Sequence, residues 1–259
     1  MKITIETITP KRAEHYLNTN SSNRKLREGW VETLASDMIN GNWGVCPVPI
    51  TFYEDGELAD GQHRLWAVVE SGKTQKFTVL RGLKRKDGLN IDTGHPRTIV
   101  DAGKISGIAT DLSTGLVSAC SAMARKSGGY RPRLSRAEIM QFVSKHKEAC
   151  SWACHHITSG RGIRNAVVLS AVAKAWYNEK DKERLTAFCK ALQSGFGNGI
   201  EDSAAIAIRN YILTSKKNTS SEPEWWDTHL KVQNAIRYFM QYRPLTIIKG
   251  IKDEQYPLN

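Results

Sequence analysis

A change of periodicity near residue 101 limits the fold of this chain more than any other feature of its sequence. Before that point, short runs of alternating apolar and polar residues, typical of strands, are interspersed with runs at helical spacing. Beyond Asp101 the apolar residues recur three and four apart, which predicts helices alone. The sequence therefore predicts an α/β (α+β) domain over residues 1–103, followed by an all-α domain over residues 104–259.

The predicted elements of the first domain are short. Strands are expected over residues 3–8, 50–53, 57–59 and 76–80, and helices over residues 24–40 and 63–72. Pro10 is expected to end the first strand, at an edge of the sheet, because proline cannot donate to a ladder. In the second domain, helical spacing covers residues 107–123, 135–158, 163–178, 182–193, 203–213 and 225–242.

Composition indicates a cytoplasmic protein that does not enter a membrane. No run approaches the ~20 apolar residues of a membrane span. The first residues alternate like a strand and do not resemble a signal peptide. The five cysteines are an odd number spread over a long chain, so we expect reduced thiols.

The net charge of +11 is unevenly distributed. Residues 101–259 contain 23 Lys and Arg against 14 Asp and Glu, and the excess is concentrated between residues 120 and 175. Such a region repels itself unless it meets a polyanion, so DNA is an expected partner. A solvated basic surface without a partner is the alternative. The residues expected to contact nucleic acid are Arg125, Lys126, Arg131, Arg133, Arg136, Arg161 and Arg164.

The most informative segment lies between a predicted strand and a predicted helix, and reads Asp60-Gly61-Gln62-His63-Arg64. Glycine at such a turn lets the backbone approach a ligand closely, and the amides of a helix N-terminus favour phosphate. Arg64 could grip phosphate oxygens, His63 could move a proton, and Asp60 could hold a divalent metal. The alternative is structural: Asp60 caps the helix and Arg64 pairs with a local carboxylate.

Residues 58–67 resemble the signature of the ParB/sulfiredoxin superfamily, in the Asp-Gly-Gln-His-Arg form found in phage-encoded ParB-like proteins and in the regulator of DNA phosphorothioation. The order of the predicted elements fits this family, and residues 91–98 resemble a second element of phage members. The resemblance covers residues 1 to about 100 and implies that the chain is encoded by a phage or mobile element.

The resemblance implies nucleotide handling, since ParB binds and hydrolyses CTP and relatives are ATPases or nucleases. Gly61 and Gln62 would offer backbone amides, His63 and Arg64 would contact phosphates, and Asp60 would lie at the edge of a Mg²⁺ site. The expected ligand is a nucleoside triphosphate.

This chain differs from the family pattern in two ways, and these differences limit the activities that the resemblance implies. ParB has an acidic residue and consecutive arginines where this chain has Gln62 and His63, so CTP specificity does not transfer. Sulfiredoxin has a catalytic cysteine at the position of Gln62, whereas Cys46 lies far upstream, which argues against peroxiredoxin repair.

Three weaker candidate sites lie elsewhere. Asp92 could bind a metal and Arg97 a second phosphate, although a turn closing the domain explains the same residues. The residues His146, Cys150 and Cys154 share one helix face but lack the second ligand pair of a zinc site, so buried core residues are the favoured interpretation. Trp225-Trp226 could stack on bases, but an anchor for the last helix is favoured.

These observations leave three functional hypotheses. The leading one is a nucleotide-binding protein that hydrolyses or senses a nucleotide and acts at DNA, with Asp60, His63 and Arg64 as catalytic residues. The second is a metal-dependent nuclease that uses Asp60 and Asp92. The third is a non-enzymatic module that binds DNA or inhibits a host system. A homodimer is a further expectation.

Overall fold

The computed structural model describes residues 1–20, 23, 25–91, 97–105, 111–126, 132, 134–160, 162–215 and 221–258. The protein is of mixed α/β class, with one four-stranded sheet and a larger number of helices. The chain divides into two compact units. The first comprises Met1–Pro96 and Arg133–Ala137, and the second comprises Arg97–Pro132 and Glu138–Asn259.

The first unit contains the sheet. Its strands are β1 (Lys2–Ile8), β2 (Cys46–Tyr53), β3 (Leu58–Asp60) and β4 (Gln75–Leu83), in the spatial order β1-β4-β2-β3. β1 pairs antiparallel with β4, β4 parallel with β2, and β2 antiparallel with β3. The predicted strands are all present, and β1 is an edge strand as expected.

Strand β2 begins four residues earlier than the periodicity predicts. Pro47 and Pro49 lie inside it, where the pairing with β4 shifts register between Cys46 and Ile50. Proline has no N–H for the ladder, and a bulge accommodates that loss. The regular part of the strand starts at Ile50, which explains why the sequence pattern is clear only from there.

Helix α1 (Pro10–Leu17) is absent from the sequence-based prediction. Pro10 does follow the first strand, but it also occupies the first turn of α1, where its missing N–H has no helical partner to lose. The hydroxyl of Thr9 caps this helix by accepting a hydrogen bond from Arg12 N at 3.2 Å. A Thr-Pro pair is thus a helix start here as well as a strand end.

The other helices of the first unit are α2 (Glu28–Ile39) and α3 (Gln62–Ser71), and a 3₁₀ segment follows β4 at Arg85–Asn90. The apolar faces of α2 and α3 pack with the sheet in one core, made by Val31, Leu34, Ile50, Phe52, Leu65, Val68, Phe77 and Val79. Burial of these side chains supplies most of the stabilisation of this unit.

The second unit is helical where the structure describes it. Its helices are α4 (Ile99–Ile105), α5 (Thr114–Met123), α6 (Arg136–His156), α7 (Ala166–Asn178), α8 (Lys182–Ser194), α9 (Ser203–Thr214) and α10 (Glu222–Met240), with a 3₁₀ turn at Ile200–Asp202. One large apolar core contains residues of all helices from α5 to α10, and a small separate cluster is formed by Ala122, Val167 and Trp225, on α5, α7 and α10. Across the described residues, no helix has the length and apolarity required to cross a membrane.

Candidate ligand cavity at the strand-to-helix turn

The turn between β3 and α3 has a backbone conformation that favours glycine. β3 ends at Asp60 and α3 begins at Gln62, and Gly61 between them has φ of 110°. A Cβ atom on Gly61 would lie 2.5 Å from Ile50 Cδ1, so the turn packs directly on β2. This close approach fixes the start of α3 against the sheet.

The side chains of Gln62 and His63 form hydrogen bonds with the segment that leads into α2. Both are buried. Asn20 Nδ2 donates to Gln62 Oε1 at 3.1 Å, and the main-chain N–H of Arg27 donates to His63 Nε2 at 3.1 Å. A ring nitrogen that accepts a hydrogen bond carries no proton, so His63 Nε2 is not a proton donor in this arrangement.

The guanidinium of Arg64 is enclosed by acceptors of the protein. Its Nη2 donates to Asp60 Oδ2 at 2.9 Å and to Pro49 O at 3.0 Å, and its Nη1 donates to Val48 O. The Arg64 side chain is 12% exposed. Arg64 therefore joins the turn to the irregular start of β2, and Asp60 is its local carboxylate partner.

A cavity of about 550 Å³ lies beside this turn, within the range usual for small-molecule sites. Four of the five motif residues line it, and Gln62 does not. Other walls come from α2, from Trp43, Cys46 and Val48 before and within β2, and from Ser135 and Arg136, which group with the first unit. The described charged groups around it are two carboxylates and two guanidinium groups, from Asp37, Asp60, Arg64 and Arg136.

The α2 wall was not identified as part of a site from the sequence. Trp30, Thr33, Leu34 and Asp37 line the cavity, at positions i, i+3, i+4 and i+7 of one helix face. The helix predicted over residues 24–40 includes all four residues, but no pattern in the sequence distinguishes Asp37 from the rest of that helix. The only sequence signal available for this wall was an acidic residue, Asp37, at helical spacing from the apolar residues Trp30 and Leu34.

Arg97 and Asp92 are the residues predicted to act together with the motif, and the described structure does not place them at this cavity. Arg97 is exposed and belongs to the second unit, and Asp92 lies outside the described residues. Within the described ranges, no group of three or more His, Cys, Asp or Glu is placed to hold a metal ion. The one described carboxylate of the predicted Mg²⁺ pair, Asp60, forms an ion pair with Arg64.

The residues considered for a zinc site belong to the helical core. His146 Nδ1 lies 3.0 Å from Tyr177 Oη, and the Cys150 thiol donates to Met123 Sδ at 3.2 Å. A hydrogen bond with Cys120 and burial raise the pKa of Cys150 far above its usual value, so this thiol stays protonated. Protonated, buried thiols are typical of structural cysteines and not of metal ligands.

The residues predicted to contact nucleic acid have different environments. Arg125 lies over the ring of Trp225 at 4.4 Å, and Arg164 Nε donates to Ile157 O at 3.1 Å. Lys126 and Arg136 are exposed. Arg131, Arg133 and Arg161 lie outside the described residues.

Trp225 is an anchor of α10, as the sequence analysis favours. It is buried and stacks on His229 at 4.7 Å, one turn along the helix. Trp226 is partly exposed and stacks on the same imidazole at 5.6 Å. The buried ring cannot stack on a nucleic-acid base in this conformation.

Comparisons with protein-family models, with characterised proteins and with solved structures gave no significant match.

Proposed function

We propose that the first unit binds a nucleotide in the cavity beside the 60–64 turn, as the resemblance to ParB-like domains implies. The observation that carries the proposal is the placement of Asp60, Gly61, His63 and Arg64 around one cavity of about 550 Å³ at the start of a ten-residue helix. A helix start presents N–H groups and a partial positive charge, which favour a phosphate-bearing ligand.

The role proposed for Arg64 and His63 is to build the site. Arg64 is enclosed by Asp60 and two main-chain carbonyls, and His63 Nε2 accepts from Arg27. Phosphate would then be bound by the main-chain N–H groups at the start of α3, next to Gly61. This arrangement favours binding or sensing of a nucleotide over hydrolysis, because the Arg64 guanidinium is already enclosed by acceptors of the protein and His63 Nε2 is already engaged by Arg27 N.

The helical unit supplies the proposed contact with DNA. This part of the proposal is supported by the 23 Lys and Arg against 14 Asp and Glu in residues 101–259. Binding of a labelled duplex should weaken steeply as salt increases. The reason is that Lys and Arg side chains displace counterions from the DNA phosphates, and the release of these counterions is less favourable at higher salt. Lys126→Glu should weaken binding more than Lys11→Glu, a matched exposed lysine of the first unit. If the two substitutions weaken DNA binding equally, Lys126 does not contact the DNA.

Binding of ATP, CTP, GTP and UTP, with and without Mg²⁺, tests the nucleotide proposal by thermal shift. A nucleotide that binds only the native state raises the melting temperature. Arg64→Ala is a poor probe here, since it breaks contacts that hold the turn. If none of the four nucleotides changes the melting temperature, the proposal is wrong.

Chemical modification of Cys46 tests whether the nucleotide binds in this cavity. It lines the cavity and is half-buried, whereas Cys120, Cys150 and Cys189 are buried in the other unit. Alkylation of Cys46 with N-ethylmaleimide should fill part of the cavity and abolish the shift. Cys46→Ser treated with the same reagent should keep it. Unchanged binding after verified modification of Cys46 would place the ligand elsewhere.

A further inference from the structure

The C-terminal end of α10 has a tyrosine at a position where the backbone favours glycine. Tyr242 N donates to Phe239 O at 3.1 Å. Arg243 N donates to Tyr238 O at 2.9 Å, which completes the Schellman pattern of helix termination. The left-handed residue of this motif is usually glycine, but here it is Tyr242, with φ of 55°. Among the residues that the structure describes, no other non-glycine residue has a positive φ. A tyrosine kept in this strained conformation points to a role for its side chain.

One face of the Tyr242 ring is covered by Arg184, whose guanidinium carbon lies 4.2 Å from the ring centroid. Arg184 has other partners that hold it in place, an ion pair with Asp202 at 2.8 Å and a hydrogen bond from its Nε to Phe239 O at 3.1 Å. Tyr242 is nevertheless 60% exposed. Because one ring face is covered, that exposure requires the opposite face to be open. The ring is thus held from one side and can stack on a planar group from the other.

The chain around Tyr242 is positively charged. Residues 237–253 contain four basic residues against one acidic residue, Asp253. The four basic residues are Arg237, Arg243, Lys249 and Lys252. None of them forms an ion pair within the part of the chain that the structure describes. Carboxylates of the neighbouring elements are already paired, Asp202 with Arg184, Asp227 with Lys231 and Glu254 with Lys174. A group of cations without carboxylate partners attracts a polyanion.

Arg243 is the cation best placed to act together with the tyrosine. It follows Tyr242 directly in the chain, it is exposed, and its guanidinium carbon lies 4.7 Å from the ring centroid of Tyr238. Its Nη1 lies 3.5 Å from Gln241 Oε1, which is a neutral acceptor. An exposed guanidinium of this kind can donate two hydrogen bonds to phosphate oxygens. The end of α10 therefore combines an open aromatic face with an arginine that has no carboxylate partner.

We infer that the C-terminal end of α10 binds single-stranded DNA, with an unpaired base stacked on the open face of Tyr242 and a phosphate held by Arg243. The inference rests on the proposed DNA contact of the helical unit and adds a site for unpaired strands. Stacking on a protein ring requires a base whose face is accessible, as it is in a single strand. In a duplex, the neighbouring base pairs cover both faces of each base.

Fluorescence anisotropy with a labelled oligothymidine and with a labelled duplex tests the inference. Tyr242→Gly should weaken binding of the single strand about tenfold and leave binding of the duplex nearly unchanged. Glycine suits the left-handed backbone, so this variant removes the ring without adding strain. Tyr242→Phe keeps the ring and should bind the single strand like wild type. Tyr177→Ala is the matched control and should also bind like wild type, because Tyr177 is a 45% exposed tyrosine of α7 whose hydroxyl lies 3.0 Å from His146 Nδ1, on α6.

Arg243→Gln separates charge from stacking. Loss of one phosphate contact should reduce the slope of log K against log salt by about 0.7 for the single strand. Wild type itself gives an independent readout, ultraviolet cross-linking to an oligonucleotide that carries 5-iodouracil, followed by mass spectrometry of the peptides. The adduct should lie on Tyr242, the ring on which the base stacks. Adducts confined to other residues would overturn the inference, whether or not a variant folds.

Unchanged single-strand affinity in Tyr242→Gly, or equal losses for the single strand and the duplex, would also show that the inference is wrong. If Lys126→Glu then still weakens binding of the duplex, the proposed DNA contact stands. Absence of binding to either form of DNA removes both.

Discussion

Arg64 Nη2 lies 2.9 Å from Asp60 Oδ2, and the same guanidinium also donates to the main-chain carbonyls of Val48 and Pro49. Three oxygen acceptors from two strands, together with Cys46 Sγ at 3.7 Å from Nη1, thus converge on one side chain. The arginine satisfies carbonyls at the irregular start of β2, which the proline-rich sequence leaves without regular ladder partners. The charged residues of the motif consequently hold the cavity wall in place.

Arg64→Ala is expected to destabilise the protein by about 2–3 kcal/mol, because it leaves a carboxylate and two carbonyls without their charged donor. Urea unfolding of the variant measures this loss. Arg85→Ala is the control, since Arg85 also pairs with carboxylates but is 53% exposed, and should change stability much less than Arg64→Ala does. Equal stability of Arg64→Ala and wild type would contradict a structural role for this arginine.

Gly61→Ala is expected to destabilise the protein by about 1–3 kcal/mol, from strain at φ of 110° and from contact of the new Cβ with Ile50 Cδ1. The two causes can be separated. Ile50→Val removes Cδ1, so the double variant should lose less than the sum of the single losses. Gly56→Ala, with φ of 85° and open space around its Cβ position, measures strain alone. Additive losses for Gly61 and Ile50 would show that the predicted contact does not matter.

The position of the turn could be predicted from the sequence, but the main-chain partners of Arg64 could not. A glycine between an alternating run and a helical run is a local signal, and β3, Gly61 and α3 follow it. Asp60 and Arg64 are four residues apart, so their pairing was among the alternatives. The carbonyls of Val48 and Pro49 come from a different strand, and only the packing of β3 against β2 brings them to Arg64.

The cavity itself could not be predicted for the same reason. Trp30 and Asp37 are on a helix whose face toward β2 is set by tertiary packing, and no local pattern joins them to residue 60. In contrast, the extents of α7, α8 and α10 follow closely from helical spacing, because each contributes a continuous apolar stripe to one core. Local periodicity thus predicts elements better than it predicts where side chains from distant elements meet.

Glu6 should make the stability of the sheet depend on pH in acid. Burial opposes its ionisation, but hydrogen bonds from Arg81, Tyr16 and Thr4 outweigh that effect and lower its pKa to about 2. The folded-state pKa lies below the unfolded value near 4.5, so the stabilisation is fully present above pH 4.5 and is lost as pH falls toward 2. Glu6→Gln should therefore cost about 1–2 kcal/mol at pH 7 and progressively less below pH 4.5.

Urea unfolding of wild type and Glu6→Gln across this pH range measures that difference. Glu14→Gln, at an exposed position of α1, is the control and should change stability only slightly. A loss for Glu6→Gln that is the same at pH 7 and near pH 2 would show that the carboxylate charge is not responsible.

The C-terminal segment should depend on a buried ion pair. Lys174 Nζ donates to Glu254 Oε1 at 2.6 Å, with the two side chains 3% and 18% exposed. Gln233 Oε1 accepts the main-chain N–H groups of Gln255 and Tyr256, which ties the same segment to α10. Burial would raise the pKa of Glu254, but hydrogen bonds from His229 and Lys174 lower it to about 2. The carboxylate is therefore ionised at neutral pH and relies on its partners.

Lys174→Met is expected to destabilise the helical unit by about 3 kcal/mol, because it leaves the Glu254 carboxylate buried without its ammonium partner. Hydrogen exchange of α7 and α10 amides measures this unit separately from the sheet. The double variant Lys174→Met with Glu254→Gln should lose less than the sum of the two single losses, since removal of both charges avoids an unpaired one. Additive losses would mean that the two residues stabilise the segment independently, and that the tail is held by Gln233 and apolar packing instead of by charge.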